Sequence, residues 1–261
     1  MLLHHTAIGQ GQPVVILHGL LGCADNWLPI AQKISNSFRI ICTDLRNHGR
    51  SPHAPTHTYA DMANDVAETL DALNIERTHI LGHSMGGQVA AMLWQMQPQR
   101  IDRLVLADIA PLIPPSTAAD AHLNNHQQTL LALQALNLSQ LRSFAQADAL
   151  LATTITNTRL RQSMLKNLAR ERNGQFSHRL NIDVLLQYLP EIIQGVSSNN
   201  LPAHTLLLRG EYSNYVSDND IIRTRKLCPT LTEHKLPNAG HWLHVDCPQL
   251  VVEHTLAFLR T

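Results

Sequence analysis

The hexapeptide Gly82-His83-Ser84-Met85-Gly86-Gly87 sets a serine between glycines, at the join of an apolar strand-like run and a helical pattern. A Gly-x-Ser-x-Gly turn in that context is so tight that the serine takes a strained backbone, and the glycines leave room for it. The hydroxyl then stands at a helix N-terminus, whose free N–H groups favour negative charge. Such a serine attacks a carbonyl only if a base removes its proton. The candidate base is His241 in Asn238-Ala239-Gly240-His241-Trp242, a turn ahead of the final helix. The tetrahedral oxyanion needs two donors: the N–H of Met85, and one from the loop His18-Gly19-Leu20-Leu21-Gly22, where Leu20 is the candidate. Leu21 and His83, next in the same motifs, are candidate substrate contacts.

These residues need a scaffold, and the pattern of the chain describes one. Val14 to Leu17, Arg39 to Thr43, Thr78 to Gly82 and Leu104 to Ala107 read as buried strands. They alternate with helical patterns over Asp25 to Ile34, Tyr59 to Leu73 and Met85 to Gln97, which signals βαβ units and a mostly parallel sheet with helices on both faces. From Pro114 to Asn200 the strand signals stop, and Leu, Ala, Gln and Asn suggest several short helices. Strands return at Thr205 to Leu208 and Thr232 to Leu236, and a helix from Pro248 to Leu259 closes the chain. The expected organisation is an α/β core in two parts, 1–113 and 201–261, interrupted by a helical insertion, 114–200. Open α/β sheets bind ligands at the carboxyl ends of their strands, so the insertion is expected to act as a lid there.

In this order His18-Gly19-Leu20-Leu21-Gly22, Asp44-Leu45-Arg46-Asn47-His48-Gly49-Arg50-Ser51, the Ser84 motif and Gly240-His241 make the chain resemble the α/β-hydrolase superfamily over nearly its whole length. Arg46-Asn47-His48-Gly49, Asp108-Ile109-Ala110-Pro111, Asn214-Tyr215-Val216-Ser217 and Ala239-Gly240-His241-Trp242 narrow the resemblance to a bacterial esterase group that includes an acyl-CoA-hydrolysing member. The resemblance implies ester or thioester hydrolysis through an acyl-enzyme on Ser84, without a cofactor. It also raises a question about the acid. The superfamily's commonest place for it is a Gly-x-x-Asp loop after the strand at Thr205, but here the loop reads Gly210-Glu211-Tyr212-Ser213. Asp108, at the end of the strand beside the nucleophile strand, is where the resembling esterases carry it; Glu211 is the rival. The same resemblance suggests that Ser213 supports the triad by a hydrogen bond to His241 or Asp108.

The composition excludes several other functions. Twenty basic residues balance twenty acidic ones and 44% of the chain is hydrophobic, which argues against a disordered chain and against nucleic-acid partners recruited by bulk charge. No run of about 18 apolar residues spans a membrane, and four cysteines without a CxxC pair suit a reducing cytoplasm. Sixteen histidines invite a metal hypothesis, but no HExxH occurs, and His122 and His126, which could share a helix face, lack a third ligand. Most histidines are expected to replace charged residues on the surface. Between Arg159 and Arg179, six basic residues face one acidic residue: either a solvated helical face or a field for an anionic substrate. Two alternatives to the esterase reading are a carbon–carbon bond hydrolase or lyase using the same triad, and a ligand receptor without catalysis.

Overall fold

The structure, a computed structural model, describes residues 1–111 and 119–261; the expected boundary at 113 and 114 lies outside the described residues. In chain order the elements are β1 (His5–Ile8), β2 (Pro13–Leu17), α1 (Leu28–Ile34), β3 (Arg39–Thr43), α2 (Tyr59–Ala72), β4 (Thr78–His83), α3 (Met85–Met96) and β5 (Ile101–Ala107). Then come α4 (Ala119–Gln134), α5 (Phe144–Leu151), α6 (Thr158–Leu165), β6 (Leu168–Arg170), β7 (Phe176–His178) and α7 (Ile182–Gln194). The chain closes with β8 (Thr205–Gly210), α8 (Asp218–Leu227), β9 (Thr232–Leu236), α9 (Leu243–Asp246) and α10 (Pro248–Leu259).

Seven strands form one sheet in the order β1-β3-β2-β4-β5-β8-β9. Every pairing in it is parallel except that of β1 with β3. Both faces are covered, and alternate residues of each strand feed different cores. Val15, Leu17, Ile41, Ile80, Leu104 and Leu106 join Met62, Val66 and Leu70 of α2 and Val89 of α3. Val14, Ile16, Ile40, Leu81, Val105 and Leu206 join Ile30 and Ile34 of α1 and Val251 of α10. Burial on two faces explains why these strands are continuous apolar runs rather than alternating ones.

The chain moves outward from β2 to β3, then crosses back to place β4 on the other side of β2. That reversal opens a crevice at the carboxyl ends of β2 and β4. The His18–Gly22 loop leaves the first of these strands and Ser84 leaves the second, so the topology alone brings them together.

Between β5 and β8 the chain departs from the main sheet. Four helices form there, as expected, but so does an antiparallel hairpin of β6 and β7, which the pattern did not foresee because each strand is three residues long. Asparagines tie this segment to the core. The Asn167 side chain donates to the Leu21 carbonyl at 2.8 Å, Asn181 donates to the Asn47 side chain at 3.1 Å, and Asn26 donates to the Ser163 hydroxyl at 3.1 Å. Helix α4 packs on α7, with Leu130, Leu133, Leu185 and Leu189 in the first core. Among the described residues no helix is long and apolar enough to cross a membrane.

The histidines depart from expectation. Seven of the sixteen, including His18, His48, His57 and His83, are buried, and only His53 and His204 are exposed. A neutral imidazole carries one donor and one acceptor, and these loops use both. His18 donates to the Gly19 carbonyl and accepts from the Leu45 N–H; His48 donates to the Arg46 carbonyl and accepts from the Leu21 N–H. Buried histidine here does the work of loop carpentry, not of surface charge.

Candidate active site

Ser84 sits at the junction of β4 and α3 with φ +51° and ψ −119°, a conformation that L residues adopt only when their surroundings enforce it. The enforcement is a close approach of backbones. A Cβ on Gly82 would lie 2.5 Å from the Gly86 carbonyl, and one on Gly86 would lie 2.3 Å from the Leu17 carbonyl. Only glycine lets β4, α3 and the end of β2 meet at this spacing. A Cβ on Gly19 would likewise stand 3.2 Å from Ser84 Cβ, so the loop carrying Leu20 passes directly over the serine. The N–H of Met85, first residue of α3, belongs to the set that a helix leaves without an internal acceptor.

Asp108 follows β5 in the left-handed region, φ +53°, and is fully buried. Its carboxylate receives three donors. Gly210 N–H reaches Oδ1 at 2.9 Å, His241 Nδ1 lies 2.7 Å from Oδ2, and the Ser213 hydroxyl donates to the same Oδ2. Burial pushes the Asp108 pKa up, and the Ser213 and Gly210 donors oppose that shift by favouring the charged form. Glu211 does not compete for the imidazole: it is exposed and accepts the Asn238 N–H at 2.9 Å.

His241 is brought in by the turn after β9. That turn comes close because Gly210 has no side chain; a Cβ there would lie 2.3 Å from the Gly240 carbonyl. His83 Nε2–H donates to the His241 carbonyl at 2.9 Å, and Tyr215 lies against the His241 ring. Burial holds the His241 pKa below the ordinary histidine range, and His122 acts in the same sense. A neutral imidazole with Nδ1 held by a carboxylate offers Nε2 as a proton acceptor.

Ser84, Leu20 and Met85 line a cavity of about 60 Å³ together with Ile109, His126 and Tyr215. A second cavity, of about 570 Å³, opens on the flank of His241 between Leu160, Trp242 and Val245. The structure thus gathers Ser84, Leu20, Met85, Asp108, Ser213 and His241 in one place. It corrects two expectations. Leu21 is packed away with its N–H on His48 and its carbonyl on Asn167, and His83 is buried behind His241, so neither lines the cavity. Half of the basic run of the insertion has acidic partners: Arg159, which lines the second cavity, pairs with Asp246, Arg161 with Asp148 and Arg179 with Asp25. No arginine or lysine is among the described residues lining the serine cavity. Nor does any group of three or more His, Cys, Asp or Glu among the described residues form a place for a metal ion.

Sequence reasoning missed His122, His126 and Tyr215 as parts of the site. The signal in the sequence is the four-residue spacing of the two histidines, which suggests metal ligation as readily as a shared face toward the site.

Comparison with known proteins bears on the family and the fold. A family model described as the alpha/beta hydrolase fold matches residues 12–248. The chain is 33% identical over 258 residues to an sn-1-specific diacylglycerol lipase, ABHD11, of Danio rerio, covering 97% of this chain and 80% of that one. It is 33% identical over 253 residues to the esterase YbfF of Escherichia coli, covering 96% and 94%. The solved structure of a marine microorganism esterase superposes with a TM-score of 0.92 at 35% identity, covering 98% of this chain and 99% of that one.

Proposed function

Because the chain belongs to the α/β-hydrolase fold family and is a hydrolase of the carboxylesterase type, we propose that it cleaves carboxylic esters and acyl thioesters of short to medium acyl chains through an acyl-enzyme on Ser84. Ser84 Oγ attacks the carbonyl carbon while His241 Nε2 takes its proton, and Asp108 fixes the imidazole and offsets its positive charge. The N–H groups of Leu20 and Met85 hold the oxyanion. The intermediate collapses as His241 returns the proton to the leaving alcohol or thiol. Water then attacks the acyl-enzyme with His241 as base, releasing the acid and restoring Ser84.

The observation that carries this reading is the 2.7 Å contact of His241 Nδ1 with a buried carboxylate beside a serine held at φ +51°. The two cavities support a division of labour. A leaving group must come within reach of the proton on His241, so the cavity on its flank suits the alcohol or thiol portion. The smaller one, beside Ser84 and the oxyanion donors, suits the acyl portion. Residues 114–200 act as the lid over both. Free Cys23, Cys42, Cys228 and Cys247 fit a reducing compartment, and we place the enzyme in the cytoplasm.

Labelling with a fluorophosphonate probe, followed by turnover of p-nitrophenyl acetate, butyrate and octanoate, acyl-CoAs and a diacylglycerol, tests the proposal. Covalent labelling that disappears in Ser84→Ala, with turnover of esters or thioesters, is the expected result. Turnover that survives Ser84→Ala would sink the mechanism, and a chain with neither labelling nor turnover would be a receptor.

A further inference from the structure

Three consecutive residues after β8 reach three different parts of the site. Ser213 donates to Asp108, Asn214 Oδ1 accepts from His122 Nε2 at 3.0 Å, and the Tyr215 hydroxyl lies 3.0 Å from His126 Nε2. The Tyr215 ring is sandwiched between two imidazoles. Its centre lies 3.5 Å from that of His241 with 11° between the planes, and 3.7 Å from that of His122 with 7° between them. Both His122 and His126 stand on α4, one turn apart and on one face of the helix. One aromatic ring therefore touches the imidazole beside Ser84 on one side and the inserted segment on the other.

We propose that Tyr215 is a positioning residue: its ring sets the plane of the His241 imidazole, and its contacts with His122 and His126 dock α4, which lines the serine cavity, against that same ring. The inference rests on the reading of His241 as the base. An imidazole held only through Nδ1 can still swing about its side-chain bonds, and a flat ring against its face removes that freedom. Plain packing would be served as well by leucine. It would not require two hydrogen bonds from α4 to the loop, nor three rings stacked nearly parallel across segments that are some ninety and twenty-five residues apart in sequence. The hydroxyl of Tyr215 keeps its proton, since burial and Asp108 raise its pKa, so the link to His126 is a neutral one. The other titratable groups around His241 are Asp108, His83, His122, His126 and His244.

Steady-state kinetics across pH on the full chain test the assignment. Tyr215→Leu is expected to lower kcat about tenfold or more and to move the acid limb of kcat/KM to higher pH, because water reaches the imidazole and solvates its charged form. Tyr215→Phe should restore kcat to within about threefold of the parent while raising KM about threefold or more, since the ring is back but the tie to α4 is not. His126→Ala should raise KM to the same degree, and the double variant should be no worse than either single one. Tyr215→Leu with parental kcat and acid limb overturns the proposal, as does Tyr215→Phe with the same kcat loss as Tyr215→Leu. Tyr215→Phe keeps the core filled, so the coupling to α4 is tested even where Tyr215→Leu fails to fold: an unchanged KM in Tyr215→Phe and His126→Ala overturns it. Ser84→Ala is the separate control. Turnover there speaks against the serine mechanism, whereas a silent Tyr215→Leu in an enzyme that Ser84→Ala inactivates speaks against the positioning role alone.

Discussion

Asp108 Oδ2 lies 2.7 Å from His241 Nδ1, whereas Glu211, the carboxylate on the loop where this fold more often keeps its acid, holds the N–H of Asn238. A carboxylate that fixes the imidazole tautomer is worth on the order of 10⁴-fold in kcat in serine proteases. Asp108→Asn is accordingly expected to lower kcat by about 10³ to 10⁴-fold, and Glu211→Gln by no more than about twofold. Rates of p-nitrophenyl ester hydrolysis for both variants check this, and a large loss confined to Glu211→Gln would reverse the assignment.

Ser213 contributes one of the three donors to Asp108. A hydrogen bond to a charged group is worth about 1.5–3 kcal/mol, so Ser213→Ala should reduce kcat by roughly ten- to a hundredfold. The lost donor favoured the ionised carboxylate, so the acid limb of the pH–rate profile should also move to higher pH. A parental rate and profile would leave Ser213 with loop packing only.

Buried histidines predict acid sensitivity. Burial lowers the pKa of His18, His48, His57, His83 and His244, that of His57 to about 3. The unfolded chain binds protons near pH 6.5 while the folded one does not, so stability is complete above that pH and is lost as the pH falls toward the depressed values. Each group costs about 1.4 kcal/mol per pH unit in that window. Urea midpoints should fall steeply from pH 6.5 to 4.5, and His57→Gln should make the decline shallower. Equal slopes for the variant and its parent would refute this account of His57.

At Gly210 the approach of two loops is the issue. Gly210→Ala places a Cβ 2.3 Å from the Gly240 carbonyl and must push the His241 turn outward. Activity should drop about a hundredfold or more, since small misplacements of catalytic groups are costly. Gly174→Ala, where no atom lies within 4 Å but φ is +84°, should cost about 1–2 kcal/mol of stability and no activity. Assays of both variants beside denaturation curves separate the two effects.

Salt tests the arginines of the insertion. Arg159, Arg161 and Arg179 are paired to aspartates, which offsets half of the six basic residues of the run. The values of kcat/KM for an anionic acyl thioester and a neutral aryl ester should fall in parallel between about 10 mM and 0.5 M salt, a range over which the Debye length shrinks severalfold. A much steeper fall for the thioester would restore the steering idea.

The strands buried on both faces were legible from sequence because a continuous apolar run leaves little alternative, and α10 matched its expected bounds at Pro248 and Leu259. Strand β1 was not legible: His5-Thr6-Ala7-Ile8 is short, half-buried and held only by antiparallel pairing with β3. Helix α8 hid because most of it is polar, although its Ser217–Asp220 capping box was there to read. The expected helix over Asp25 to Ile34 is divided at Trp27 into a 3-10 turn and α1. Within the site, glycine spacing announced Ser84, but the choice of acid depended on distance across the sheet. The stack of His122, Tyr215 and His241 left no local trace beyond the four-residue spacing of His122 and His126, since ring planes from three distant segments are aligned only by the fold.

Strands β5 and β8 are hydrogen-bonded neighbours, Leu104 opposite Thr205 and Ala107 opposite Leu208, although the whole inserted segment lies between them in the chain. Because the two strands run parallel, the chain leaves at the carboxyl end of β5 and re-enters at the amino end of β8, so the excursion includes a crossover along the sheet, and lengthening it adds only a slowly growing entropic cost. The insertion is in this sense a cassette. A different one could replace it without disturbing the strand register, provided it made the same crossover and brought its own asparagine stitches to the Leu21 carbonyl and Asn47 and two imidazoles for Tyr215. Exchange of cassettes between relatives would then transfer substrate preference while the hydrolytic machinery stayed in place.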